Sequence, residues 1–285
     1  MKVVPFKIPK NTEEAFKVQV DDMPHFYNHL HQHPEIQLTV IKESHGTLIA
    51  GDYVGPFHAG DVFVIGSNQP HVFRNDEKFF KKGSKAFAIT IFFDETTLGE
   101  KFWLFQETNS LQQFFRNSSG GFRITGKKKR SLAEKLVAVT KAEGLEKLII
   151  FLEIIKELNN RKEMHPLTKP VIQRNIKTYD GTRLNKILEF TFSEFQRTIT
   201  LHEVAALANL TPEAFCKYFK TRTRKTYVSF LNEIRVNHAC RLLTEESSVA
   251  DICYDSGFTN LSNFNRIFRR IKKMSPGEWR KVNAN

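Results

Sequence analysis

Leu201-His-Glu-Val-Ala-Ala-Leu-Ala-Asn-Leu-Thr-Pro-Glu-Ala-Phe-Cys-Lys-Tyr-Phe-Lys220 decides how this chain is read. It holds a short apolar helix, a tight turn and a second helix, the order of a helix-turn-helix. Thr211 stands where an N-cap belongs and Pro212 at the first helical position. Phe215 and Phe219, four apart, face a core with Tyr218 beside them. Glu213, Ala214, Cys216, Lys217 and Lys220 fall on the opposite face.

The pattern returns in Val249-Ala-Asp-Ile-Cys-Tyr-Asp-Ser-Gly-Phe258 and the following Thr-Asn-Leu-Ser-Asn-Phe-Asn-Arg-Ile-Phe-Arg-Arg270. Gly257 ends the first helix, where a positive φ is favoured. Phe258, Phe264 and Phe268 have core spacing, and Asn260, Ser262, Asn263, Asn265 and Arg266 make an exposed face. Between the units, Tyr227 to Leu243 reads as one connecting helix through Phe230, Ile234, His238 and Leu242. A single helix-turn-helix pattern is weak evidence; two joined by a helix are specific.

The chemistry of the exposed faces fits double-stranded DNA. Lys217 reaches a guanine edge, Glu213 accepts from a cytosine amine and Ala214 meets a thymine methyl. In the second unit Arg266 suits a bidentate guanine contact and Asn265 an adenine, with Asn260 and Ser262 as further base contacts. Lys220 and Arg222, near Thr221 and Arg224, would meet phosphates, as would Arg269, Lys272, Lys273 and Arg280 in a tail that also carries Arg270, Lys281 and the single acid Glu278. A rigid connector would set the two units about one turn of DNA apart. The net charge of +12 and a pI near 9.5 agree with a polyanionic partner.

With 285 residues, 40% of them hydrophobic, the chain can build two cores. Cys216, Cys240 and Cys253 show no CxxC spacing and suggest reduced thiols. The start has no apolar stretch of signal-peptide length, and the longest apolar run, Leu148 to Leu152, cannot span a bilayer. A cytoplasmic protein without a membrane partner is expected.

Residues 15 to 95 read as β. Ile36, Leu38 and Val40 alternate with polar residues, and Phe87, Ile89, Ile91 and Phe93 alternate in a run apolar enough for burial on both sides. Gly46, Gly51, Gly55, Gly60 and Gly66 punctuate the strands as in a sandwich or small barrel. Residues 117 to 130 read as a loop. Ser131 and Glu134 suggest a capping box, and Gly144 separates that helix from Leu145 to Asn159. The second helix is apolar on more than one face, so either a partner subunit or the sheet and preceding helix must cover it. Residues 160 to 181, with Pro166 and Pro170, read as a linker.

Residues 182 to 282 resemble the DNA-binding domain of the AraC/XylS family of bacterial transcription regulators. The matching stretches are Ile199-Thr-Leu-His-Glu-Val-Ala205, Phe230-Leu-Asn-Glu-Ile-Arg235, Ala239-Cys-Arg-Leu-Leu243, Ile252 to Phe258, Phe264-Asn-Arg-Ile-Phe268 and Ser275-Pro276 to Arg280. The family usually has glycine three residues before that proline; here the position is Lys273.

The segment His31-Gln-His33-Pro-Glu35-Ile-Gln37, with Gly60-Asp61-Val-Phe-Val-Ile-Gly66 and Gln69-Pro70-His71, resembles a cupin, a small β-barrel. Relatives of the arabinose-regulator type carry such an effector domain ahead of the DNA-binding domain. The two resemblances imply a multidomain α+β chain: a cupin-like effector domain over 1–125, a helical dimerisation and linker segment over 126–181, and an all-α double helix-turn-helix domain over 182–285. On one strand, positions 31, 33, 35 and 37 share a face.

Metal-binding cupins would place ligands at His31, His33, position 37 and His71. Position 37 is Gln and Glu35 is out of step, although three imidazoles can still hold zinc, nickel or iron. The alternatives are an effector pocket of His31, His33, Glu35, Gln37 and His71, with Tyr53, Phe63 and Phe73 stacking on the ligand, or a structural role. Asp52, His58 and Asp61 read as turn residues beside glycines.

No cofactor and no catalytic residue are expected. The expected function is sequence-specific transcription regulation by a homodimer under a small polar effector, with RNA polymerase as a further partner of an activator. An effector-independent DNA-binding protein with a dimerising β domain is the alternative, and a cupin enzyme is disfavoured by the missing acidic ligand.

Overall fold

The computed structural model describes residues 8, 14–168, 178–245 and 247–283. They fall into an N-terminal unit running through Lys177 and a C-terminal unit starting at Thr178.

The N-terminal unit is built from nine strands and three α-helices among the described residues. The strands are β1 (Lys17–Met23), β2 (Ile36–Glu43), β3 (Gly46–Ala50), β4 (Tyr53–Phe57), β5 (Val62–Ile65), β6 (His71–Asn75), β7 (Ala86–Phe93), β8 (Phe122–Ile124) and β9 (Met164–Pro166). They form a six-stranded sheet in the order β1-β7-β2-β5-β8-β9 and a three-stranded sheet β4-β3-β6. All ladders are antiparallel. The strands thus lie in two sheets and not in a closed ladder, with an isolated bridge between His31 and His71.

Alternation divides the large sheet's two faces. Leu38, Val40, Val62, Val64, Ile89 and Ile91 bury one face in a core shared with α2 (Gly126–Val139) and α3 (Gly144–Asn159). Ile41, Phe63, Ile65 and Ala88 bury the other in a core shared with Leu48, Phe57 and Phe73 of the small sheet. Both faces are covered, which explains the nearly unbroken apolar run in β7.

Residues expected as a loop over 117–130 are partly ordered elements. α1 (Asn109–Asn117) runs into the segment, β8 pairs with β5, and α2 begins at Gly126. The basic run Lys127-Lys-Lys-Arg130 is therefore the start of a helix. Cations are unfavourable at a helix N-terminus, but Glu163 supplies the anion: its carboxylate accepts from Lys127 N at 3.2 Å and Lys128 N at 2.9 Å. Ser131 caps nothing. It lies inside α2 and donates to Glu157 of α3 at 2.9 Å.

α3 buries Phe151, Ile154, Ile155 and Leu158 against the sheet and its neighbours. Leu145 and Ile149 stay exposed at 71% and 48%. Of the expected linker, β9 joins the sheet beside β8, and residues 169–177 lie outside the described ones.

The C-terminal unit is helical: α4 (Thr178–Glu194), α5 (Leu201–Leu207), α6 (Pro212–Thr223), α7 (Tyr227–Leu242), α8 (Val249–Asp255), α9 (Leu261–Lys272) and α10 (Pro276–Asn283). Side chains accept from backbone N–H groups at the starts of α5 to α9: Thr200, Thr211, Thr226, Ser248 and Asn260. Each such cap is worth about 1 kcal/mol, and together they set where each helix begins.

Candidate nucleic-acid interface and a buried histidine cluster

α5 with α6, and α8 with α9, form two helix-turn-helix units on either side of α7. The turns use left-handed residues: Asn209 with φ 51° in the first unit and Gly257 with φ 83° in the second. A Cβ at Gly257 would sit 2.3 Å from the Phe195 carbonyl oxygen, so backbone approach as well as φ demands glycine there.

The two second helices, α6 and α9, are each twelve residues long. Phe215 and Phe219 of α6 are fully buried, as are Phe264 and Phe268 of α9. Their opposite faces are exposed, presenting Glu213, Ala214, Lys217 and Lys220 on α6 and Ser262, Asn265, Arg266 and Arg269 on α9. Arg266 donates to Asn263 Oδ1 at 2.7 Å, which orients its guanidinium along the helix.

Others of the basic or polar candidates also have intramolecular partners. Asn260 is the N-cap of α9, accepting from Asn263 N at 2.9 Å. Lys272 donates to Asn237 Oδ1 at 2.8 Å and lies over the Trp279 ring. Arg280 donates to the Leu243 and Ser247 carbonyls, tying α10 to the loop before α8. Arg222 lies over Tyr218. Lys273 is exposed and ends α9 with φ 63°.

Sequence reading missed Arg235. Its guanidinium donates to the Phe195 and Arg197 carbonyls, both at 2.7 Å, and lies over Phe258. One α7 side chain thus holds the entry to the first unit and the turn of the second. The only sequence signal was a cation in a mostly buried helix.

In the N-terminal unit the structure brings His31, His33, Gln37 and His71 together. The three histidines each offer a ligand atom within 4.8 Å of the others. Gln37 Oε1 lies 3.1 Å from His33 Nε2 and 2.9 Å from His71 Nε2. Gln37 Nε2 bonds Thr39 Oγ1 at 2.8 Å, and Thr39 bonds Thr90 at 2.8 Å. Thr39 and Thr90 were not singled out from sequence, although each is a hydroxyl at an inward position between apolar neighbours.

His33 and His71 are 2% and 0% exposed. Burial lowers all three imidazoles, His31 to about 4 and His71 well below its ordinary value, so they are neutral at pH 7. Residues 31–35 are not one regular strand, since β2 starts at Ile36. The Glu35 carboxylate therefore turns to the other ring nitrogen of His33, 3.6 Å from Nδ1. Phe63 and Phe73 pack edge-on in the core at 5.8 Å. Asp61 does more than make a turn: it accepts from His58 N at 3.0 Å and pairs with Arg123 at 3.1 Å.

Residues 204–282 match the family model described as a helix-turn-helix domain. The HTH-type transcriptional regulator YdeC of Bacillus subtilis is 23% identical over 95% of this chain and 92% of its own length. The transcriptional activator NphR of Rhodococcus is 35% identical over 38% of this chain and 32% of its own. Among solved structures, the DNA-binding domain of AdpA, in complex with a target DNA, is 25% identical with a TM-score of 0.34, covering 35% of this chain and 91% of that one. Among the described residues no helix is long and apolar enough to cross a membrane.

Proposed function

We propose that this chain, an AraC-type helix-turn-helix transcription regulator, reads two successive major grooves with α6 and α9 and couples that reading to a small effector held by its N-terminal unit. The observation that carries the DNA reading is the paired exposure of Lys217 and Arg266 on helices whose Phe pairs are buried against α7, Phe219 on Tyr227 and Phe230, and Phe264 and Phe268 in a cluster with Val236 and Ala239. Glu213, Ala214, Lys217, Ser262, Asn265 and Arg266 make base contacts; Lys220, Arg222, Arg269 and Lys273 meet phosphates. Lys272 and Arg280 act mainly by holding α9 and α10 in place.

The effector domain is a cupin-like two-sheet structure whose polar interior is the file His31, His33, Gln37, His71, with Glu35 behind His33. Buried polar groups of this number in an otherwise apolar interior are costly unless matched, which favours a binding role. The working assembly is a homodimer. The exposed Leu145 and Ile149, one turn apart on α3, supply an apolar patch for a second copy. Effector control requires that the ligand bind the two arrangements of the dimer with different affinity.

Selection of fragments from the source genome by the full-length protein, at physiological salt with excess competitor, tests the reading. A shared motif with two sub-sites about one helical turn apart is expected. Fragments without a common motif would favour a non-specific DNA-binding protein whose β domain only dimerises.

A further inference from the structure

β4 is an edge of the small sheet and β9 an edge of the large one. A cleft of about 410 Å³ opens where β4, β8, β9 and the start of α2 meet, a size ordinary for small-molecule sites. Pro166, Leu167 and the Tyr53 ring give it apolar walls; Asp61, Arg123 and Lys129 give it charge. It shares no lining residue with the histidine file.

Asp61 is 5% exposed and is the one acid among the lining residues. Its oxygens are heavily used. They accept from His58 N at 3.0 Å and from Arg123 Nη2 at 3.2 and 3.1 Å, with Lys129 Nζ 3.8 Å away. Burial alone would raise this carboxyl, but the bonds from His58 and Arg123 hold it below its ordinary value, so it is ionised at pH 7. One carboxylate thus answers two cations. Glu163, beyond the cleft, does not make up the difference: its oxygens accept from the Lys127 and Lys128 amides. Both Arg123 bonds to Asp61 leave from Nη2, so the Nε and Nη1 hydrogens are not spent on it. A surplus cation beside apolar walls gains more from an anion than it would in open water.

The cleft is also shaped. Tyr53 and Gly55 are two apart on β4 and share a face. A Cβ at Gly55 would lie 2.1 Å from the Tyr53 hydroxyl oxygen, so the phenol fills the space that a side chain there would take. Gly55 has no positive φ; room for Tyr53, and not backbone conformation, accounts for the glycine. Burial raises the Tyr53 hydroxyl above its ordinary value, which keeps it protonated and able to donate.

We propose that this cleft binds a small monocarboxylate with a compact apolar body. The carboxylate takes hydrogens from Arg123 and Lys129, and the body lies on Leu167 and the Tyr53 ring. A surplus of one positive charge suits a monoanion. A dicarboxylate or a phosphate dianion would bring a second negative charge toward Asp61 with no cation to meet it. The site stands on the cleft alone and does not need the DNA reading. Its occupant fastens the start of α2 to β9, the last strand of the N-terminal unit before the chain goes on to α4.

The test is calorimetric titration of the full-length protein, at constant ionic strength, with isobutyrate, benzoate, benzamide, succinate and inorganic phosphate. One isobutyrate or benzoate per chain is expected. Benzamide, which keeps the shape of benzoate without its charge, binds at least tenfold more weakly. Lys129→Gln, at a side chain 39% exposed, weakens benzoate about tenfold and leaves thermal unfolding where it was. Tyr53→Phe, which keeps the ring and removes the donor, weakens it less. His31→Ala leaves the affinity unchanged. No saturable binding of either monocarboxylate, or full affinity in Lys129→Gln, overturns the site. Loss of binding in His31→Ala moves the ligand to the histidine file and overturns the cleft as its place. Succinate or phosphate bound as tightly as benzoate overturns the monocarboxylate class.

Discussion

Lys217 on α6 and Arg266 on α9 stand the same number of residues after their N-caps, Thr211 and Asn260, on helices of equal length. Each follows its helix's first buried phenylalanine, Phe215 or Phe264, by the same two positions, so the packing that fixes the ring fixes the direction of the cation. The two units present one cation each at matching stations, and Arg235 of α7 ties them together.

Removal of these cations should separate specificity from affinity. Arg266→Ala relaxes preference at one base pair and costs about 1–3 kcal/mol on the best site, with Lys217→Ala smaller because an ammonium makes no planar fork. Lys220→Ala and Arg269→Ala lower affinity evenly across sequences and reduce the salt slope by about one. Binding to randomised operators at several salt concentrations reads both effects. Unchanged base preference in Arg266→Ala would remove α9 from the groove.

α6 and α9 also end alike, at Arg224 with φ 60° and Lys273 with φ 63°. A left-handed conformation costs a non-glycine residue about 1–2 kcal/mol, offset in part by the greater unfolded freedom of glycine. Lys273→Gly and Arg224→Gly should each stabilise the C-terminal unit by about 0.5–1 kcal/mol. Trp279 fluorescence during urea unfolding, in a Trp103→Phe background, measures it. On the proposed reading Lys273→Gly also removes a phosphate contact, so more stability with weaker DNA binding is the expected pair of results.

Gly257 gives the opposite sign. Alanine there meets the Phe195 carbonyl at 2.3 Å and Arg235 Nε at 2.9 Å, at a φ of 83°. Gly257→Ala should destabilise the unit by about 2 kcal/mol or more and weaken binding to two-part operators more than to either half alone. The same urea titration and operator series apply.

The helical half was legible because its signals are local. Thr211-Pro212, Gly257 and the phenylalanines four apart each act through a few neighbouring residues, and the helices formed where those signals lie. The start of α2 was not legible: a run of lysines argues against a helix N-terminus, and the balancing carboxylate of Glu163 lies more than thirty residues away, brought near by β9 pairing with β8. The histidine cluster was legible as residue types and not as an arrangement. Strand alternation placed Glu35 on the face of His31, His33 and Gln37, whereas β2 starts only at Ile36 and the preceding turn sends the Glu35 carboxylate elsewhere. Lys272 and Arg280, read from sequence as phosphate contacts, also have intramolecular partners, which a sequence does not record.

His238 gives the C-terminal unit a pH dependence. It packs edge-on against Phe195 at 5.0 Å and accepts from Arg241 at 2.8 Å. Burial and then the Arg241 charge lower its pKa from 6.5 to about 4. The unfolded chain thus binds a proton near pH 6.5 that the folded unit refuses until about pH 4. Stability from this residue is complete above pH 6.5 and is lost as the pH falls from there toward 4. After allowance for partial exposure the loss is on the order of 2–3 kcal/mol. Urea unfolding followed through Trp279 between about pH 7 and pH 4 measures the slope, and His238→Gln, which cannot titrate, should flatten it. An equal slope in the two proteins would assign the pH dependence to the carboxylates and leave His238 without a share.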